Sequence, residues 1–181
     1  MTGELRFRLM TFDGKVLVEK KDNVQVAPLA SKIYMQLPAV EMIIAQGIDP
    51  ARVVASTELA VSGTVVSSNL TYLAPTVEVH LPPATLKTEL MKVGDSYRLK
   101  VSSPVLARSV YISFGEADAE VSDNYFDMLP GQSVEIMIKT KANEEALRKG
   151  LKVISLVDAF NGDAVAKSAP STALADPNWV K

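Results

Sequence analysis

Apolar and polar residues alternate with a period of two through much of the chain. In residues 4–10, Leu5, Phe7 and Leu9 share one face while Arg6 and Arg8 take the other, which predicts a half-buried strand. Asp13 and Gly14 then predict a tight hairpin turn, because glycine tolerates the positive φ such turns need, with residues 15–20 as the return strand. Residues 31–37 alternate again, with Ile33, Met35 and Leu37 set against Lys32, Tyr34 and Gln36, and 53–61 and 64–73 are two more strand-like runs. Between them, 38–46 places Val40, Ile43 and Ile44 at helical spacing, with Pro38 in the first turn and Gly47 as a stop, and predicts one short helix.

The same grammar restarts after residue 90. A turn at Gly94 and Asp95 leads into strands over 97–102, 105–114 and 133–139. Asn143 is placed to cap a short helix with Glu144 and Glu145 in its first turn and Arg148, Lys149 and Gly150 at its end, which matches the helix dipole. Residues 152–157 read as the last strand. Short strands at a spacing of about ten residues, separated by turn signals, predict an all-β protein of antiparallel sandwiches with one or two short helices, not alternating β-α units.

The chain has 181 residues, room for one large domain or two small ones. Residues 73–87 hold three of the ten prolines and show no clear period, so the junction falls there. The expected organisation is a first β-sandwich over 1–75, a proline-containing junction over 76–90, a second sandwich over 91–160 and a polar tail over 161–181.

Composition excludes more than it suggests. Nineteen basic and 21 acidic side chains give a net charge of −2 without basic clusters, which speaks against nucleic-acid and anionic-membrane partners. No apolar run approaches the length of a membrane span, and the charged, alternating start is unlike a signal peptide, so the expectation is a cytoplasmic protein or a piece of something larger. Absence of cysteine removes disulfides, thiolate zinc sites and a cysteine nucleophile, and fits a reducing or an oxidising compartment equally.

Chemistry-bearing groups are sparse. The one histidine, His80, lies in the junction without partners for a triad or a metal site, and no glycine-rich phosphate loop is present. The acidic run Glu116, Asp118, Glu120, Asp123 and Asp127 raises calcium, but its spacing does not match an EF-hand, and a solvated loop is the better reading. A glycosidase carboxylate pair drawn from this run would lack the rigid pocket it needs. Sugar-binding platforms need exposed Trp or Tyr; Trp179 lies two residues from the end, and Tyr97 and Tyr111 on strands suit packing as well as display. Asn69-Leu70-Thr71 is a glycosylation sequon, relevant only in a eukaryotic secretory protein. No catalytic, cofactor-binding or metal-ligating residue is expected.

The most individual segment is 121–136, VSDNYFDMLPGQSVEI. Asp123 and Asn124 favour a turn, Tyr125 and Phe126 offer aromatic anchors, and Leu129, Pro130 and Gly131 make a corner into the alternating Val134, Ile136 and Ile138. A tyrosine corner, with the Tyr125 hydroxyl buried against a backbone group, is the expectation. This stretch closely resembles the C-terminal immunoglobulin-like domain of β-mannosidases of glycoside hydrolase family 2. Residues 97–104 (YRLKVSSP), 110–115 (VYISFG) and 151–158 (LKVISLVD) look like further strands of that domain. Upstream, 7–17 (FRLMTFDGKVL) and 67–75 (SSNLTYLAP) resemble the preceding immunoglobulin-like domain of the same enzymes. The likeness covers about residues 4–159.

The resemblance implies two consecutive immunoglobulin-like sandwiches. It also implies a parent enzyme that hydrolyses terminal β-mannosides or similar β-glycosides with retention on a (β/α)₈ barrel. A barrel needs about 250 residues, so this chain cannot hold one, and no catalytic residue carries over. The implied role is non-catalytic and needs no cofactor: bracing the catalytic barrel of the parent polypeptide or another subunit. The alternatives are a carbohydrate-binding module that contacts sugar, and a stand-alone structural or adhesion sandwich.

Overall fold

Alternation in the first half produces one antiparallel sheet. In the computed structural model, which describes residues 1–160, β1 (Thr2–Thr11), β2 (Val16–Gln25), β3 (Val53–Val61) and β4 (Thr64–Tyr72) pair in the order β2-β1-β3-β4. The tail over 161–181, with Trp179, lies outside the described residues. At the β1–β2 turn Gly14 takes φ +95°, as the hairpin reading requires. Beside it the Thr11 hydroxyl donates to the Asp13 carboxylate and holds that carboxyl below its usual range.

The sheet buries both faces over part of its area. On one, Leu9, Val53 and Ala55 pack with Ile43 of α1 (Ala39–Ile44). On the other, Met10, Phe12 and Val54 form a second cluster with Leu106, a residue of the second half of the chain.

Residues 31–37, expected as a strand, have no ladder partner. The apolar side of the segment is not the buried one throughout: Ile33 is exposed, whereas Tyr34 from the opposite side is half-buried like Met35 and Leu37. Tyr34, Met35 and Leu37 lie over Leu5 and Phe7, and the Tyr34 hydroxyl donates to the Gln25 carbonyl at 3.1 Å.

The second half folds as two facing sheets. One has the order β5-β6-β10-β8, from β5 (Lys87–Val93), β6 (Ser96–Ser102), β8 (Ala119–Val121) and β10 (Ser133–Thr140). The other has the order β11-β7-β9, from β7 (Ala107–Ser113), β9 (Phe126–Met128) and β11 (Lys152–Ile154). Leu99, Val101, Ile136 and Ile138 from the first sheet meet Val110, Ile112 and Met128 from the second in one core. β5 begins inside the stretch read as junction: Leu90 alone points into this core, and a single apolar position shows no period.

Asn143 caps α2 (Glu144–Gly150) by accepting from Ala146 N–H at 2.9 Å, and Arg148 donates to Glu144 and to the Leu90 carbonyl. The strand expected over 152–157 stops at Ile154. There Asp158 reaches back to accept from the Ser155 N–H (2.7 Å) and hydroxyl (2.9 Å), a one-sided cap that turns the chain into α3 (Leu156–Phe160).

Candidate functional site

Of the signature residues Asp123, Asn124, Tyr125, Phe126, Leu129, Pro130 and Gly131, Leu129 and Pro130 meet the first half, while Asp123 to Phe126 and Gly131 bond or pack within the second. Asp123 accepts from Asn124 N–H at 2.8 Å and sets the turn. Asn124 then aims its amide across to β7, accepting from Ile112 N–H at 2.8 Å and donating to Ile112 C=O at 2.9 Å. One side chain thus replaces the two bonds a neighbouring strand would have made. Phe126 packs against the second-half core, and Leu129 against the Met10, Phe12, Val54 and Leu106 cluster. A methyl group on Gly14 would approach Pro130 to 3.0 Å, so the β1–β2 turn sits directly on the signature corner.

Tyr125 does not make the expected tyrosine corner. It is 66% exposed at φ +60°, its N–H donates to Val110 C=O at 2.8 Å, and its ring stacks on Tyr111 with centroids 5.0 Å apart. The backbone needs a left-handed residue here to pass from the Asn124 clamp into β9, and this turns the ring outward. The tyrosine that anchors the corner comes from the other half. Tyr72, the last residue of β4, donates its hydroxyl to Asp127 Oδ2 at 2.7 Å, while Asp127 Oδ1 accepts from Ser109 N–H at 2.8 Å. Arg108 lies over the Tyr72 ring at 4.2 Å and Phe12 meets its edge at 6.3 Å. Leu106 N–H donates to Phe12 C=O at 2.8 Å across the seam, and His80 N–H ties the linker to Ala51 C=O at 2.9 Å. Sequence reasoning missed Tyr72, Ser109 and Leu106; a large aromatic at the last position of a strand beside a linker was the signal available.

Burial, then the bond to Asp127 and its negative charge, push the Tyr72 hydroxyl well above the ordinary tyrosine range, with Arg108 acting in the opposite direction. An unfolded tyrosine ionises at about pH 10. Above that pH the unfolded chain loses a proton that folded Tyr72 keeps, so stability falls as pH rises. Chemical denaturation across this range is expected to show the decline. Tyr72→Phe should remove its tyrosine component and lower neutral-pH stability by about 1 kcal/mol. Tyr125→Phe, at an exposed ring, should change stability by less than about 0.5 kcal/mol.

The acidic run is not brought together as a metal site; among the described residues no three His, Cys, Asp or Glu side chains are placed to hold an ion. An open cleft of about 480 Å³ does lie between the halves, lined by Ser56, Glu58, Ser68, Leu70, Asp127 and Gln132. Both of its carboxylates are engaged: Glu58 accepts from Arg8 at 2.7 Å, and Asp127 from Tyr72 and Ser109. His80 Nδ1 stands 3.4 Å from Asp49 at the rim of an apolar groove with Val77, Val79, Leu81, Leu156 and Phe160. Tyr97 is buried in the second core. Asn69 of the sequon is exposed on β4.

Residues 1–76 match the model of a mannosidase Ig/CBM-like domain, and residues 81–159 match an Ig-fold domain of the mannosidase type. These are mannosidase-type immunoglobulin-like domains. Among solved structures the mannosidase-type pair is similar to a β-D-mannosidase from Dictyoglomus thermophilum, at 19% identity and a TM-score of 0.59, covering 86% of this chain and 18% of that one. An exo-chitosanase from Amycolatopsis orientalis aligns at 12% identity and a TM-score of 0.46, over 86% of this chain and 24% of its own. The chain thus spans less than a quarter of either. No curated protein sequence matches it significantly. The domains are of the accessory, non-catalytic kind.

Proposed function

We propose that this chain is the accessory region of a family 2 glycosidase that removes terminal β-mannosyl or similar β-linked residues, and that it braces the enzyme's catalytic barrel. The carrying observation is the seam. The halves share an apolar cluster, a tyrosine–carboxylate bond and a backbone bond, so they act as one stiff bar, while every carboxylate of the cleft between them is engaged structurally. The apolar groove beside the linker, open among the described residues with Val77 93% and Phe160 81% exposed, is the kind of surface such a brace would cover.

The isolated chain is expected to release no chromophore from an aryl β-mannoside. Turnover that survives repurification and co-elutes with the protein would overthrow the reading. A (β/α)₈ barrel encoded upstream in the same frame is the expected gene context, and an unrelated domain there would remove it.

A second reading, sugar contact, is favoured by the exposed Tyr125–Tyr111 stack, which offers a flat aromatic face to solvent. Saturable quenching of tyrosine fluorescence by manno-oligosaccharides, lost in Tyr125→Ala, would support it.

A further inference from the structure

Strand alternation puts Ser56 and Glu58 of β3 on the same face of the first sheet as Val54, and the ladder sets Leu70 and Ser68 of β4 beside them (Ser56↔Leu70, Glu58↔Ser68). Toward Val54 and Tyr72 this face is apolar, and the second half of the chain packs on it. Farther along it turns polar, and the second half stands over it only as a wall of Asp127, Leu129 and Gln132. A bulge at Val66, where the register passes from Leu59↔Ser67 to Ala60↔Val65, brings Val65 onto the same face. The cleft of about 480 Å³ between the halves is the space these residues enclose.

Its floor holds a hydroxyl that the fold does not use. Three polar residues are buried among those described, Ser56, Ser103 and Ser155. Ser103 donates its hydroxyl to Val105 C=O and Ser155 to Asp158. Ser56, only 2% exposed, makes no side-chain hydrogen bond among the described residues and borders the cleft. A buried polar group without a partner costs free energy, which a bound ligand that hydrogen-bonds to it recovers. In the wall, Gln132 commits its carbonyl oxygen to Leu129 N–H at 2.9 Å, and its amide protons have no protein partner among the described residues.

We propose that this cleft binds a neutral, hydroxyl-rich ligand, a short saccharide, laid across β3 and β4 against the wall of the second half. Gln132 offers donors, Ser56 and Ser68 offer hydroxyls that act either way, and Glu58 and Asp127 keep lone pairs beyond the bonds they already accept. Sugar hydroxyls are donor and acceptor at once and match such a mixture. Val65, Leu70 and Leu129 supply the apolar surface on which the C–H face of a ring rests. Charge selects against ions: an anion meets two carboxylates, and a cation finds both already engaged, Glu58 by Arg8 and Asp127 by Tyr72 and Ser109. Neither Tyr111 nor Tyr125 lines the cleft, so the site is distinct from the aromatic stack, and it does not depend on the glycosidase reading.

Amide NMR of the 181-residue chain, titrated with β-linked mannotriose and with cellotriose, is expected to show saturable shifts at Ser56, Ser68 and the Gln132 side-chain amide. A Kd of about 1 mM is expected for an open site with few polar anchors. Ser56→Ala should raise that Kd about fivefold while leaving the melting temperature unchanged or higher, because the lost hydroxyl has no partner in the fold. Ser68→Trp, at an exposed strand position that accepts a large ring, should fill the cleft and abolish the shifts. Trigalacturonate, of similar size but carrying carboxylates, should bind more weakly than either neutral trisaccharide. The proposal is overturned by absence of saturation with both neutral sugars, by shifts confined to Tyr111 and Tyr125, by tighter binding of the uronate, or by a Kd that both folded variants leave intact.

Discussion

Gly150→Ala is expected to destabilise the second domain by about 3 kcal/mol or more, although helix propensity alone favours alanine over glycine by about 1 kcal/mol. Gly150 closes α2 against the end of β7. A Cβ there would stand 2.1 Å from the Phe114 carbonyl oxygen and 2.7 Å from its carbonyl carbon. Both are backbone atoms, and Phe114 is held by its own burial in the core. The strain can be relieved only by lifting α2, which withdraws the fully buried Leu147 and the Arg148 bond to the Leu90 carbonyl. Urea denaturation followed by circular dichroism reads the effect as a fall in midpoint. A neutral or stabilising result would mean that the helix end is not seated as described.

Asn124→Ala is expected to lower stability by about 2 to 3 kcal/mol, because it removes two hydrogen bonds and leaves the Ile112 N–H and C=O unpaired beneath the signature turn. Asn124→Asp separates the two halves of this effect. The carboxylate can still accept from Ile112 N–H, but it cannot donate to Ile112 C=O and sets negative charge against that oxygen. The expected order of stability is Asn, then Asp, then Ala, with the aspartate variant recovering toward Asn as the buffer is acidified and the carboxyl gains a proton to donate. Thermal unfolding at neutral and mildly acidic pH distinguishes this from a purely steric role, which would show no recovery.

Local pattern carried much of the fold. Alternation placed β1, β3, β6 and β10, and the charge order around Asn143 and Arg148 placed α2, because a half-buried strand or a capped helix is specified by its own residues. It failed where the deciding partner is distant or the period is silent. Residues 31–37 alternate in sequence, yet Ile33 is exposed while Tyr34 joins Met35 and Leu37 beside Leu5 and Phe7, so the period there reports no paired strand. Ser155 and Asp158 end β11 by a three-residue cap hidden inside an apolar run.

The site shows the same limit. The segment 121–136 was legible as a corner with an aromatic anchor, but the anchor is Tyr72, 55 residues away from Asp127. Tyr125, the nearer candidate, is turned outward by its left-handed backbone. Nothing in the alternation of β4 announces that its last side chain leaves one domain to bond another.

The sharing of Leu106 and Leu129 with the face of the first sheet bears on how the protein is made. During synthesis the first four strands are complete before either leucine has been added. At about 5 to 20 residues per second, Met10, Phe12 and Val54 wait several seconds for their cover. In that interval the nascent sheet shows an apolar face, the feature on which holding chaperones act.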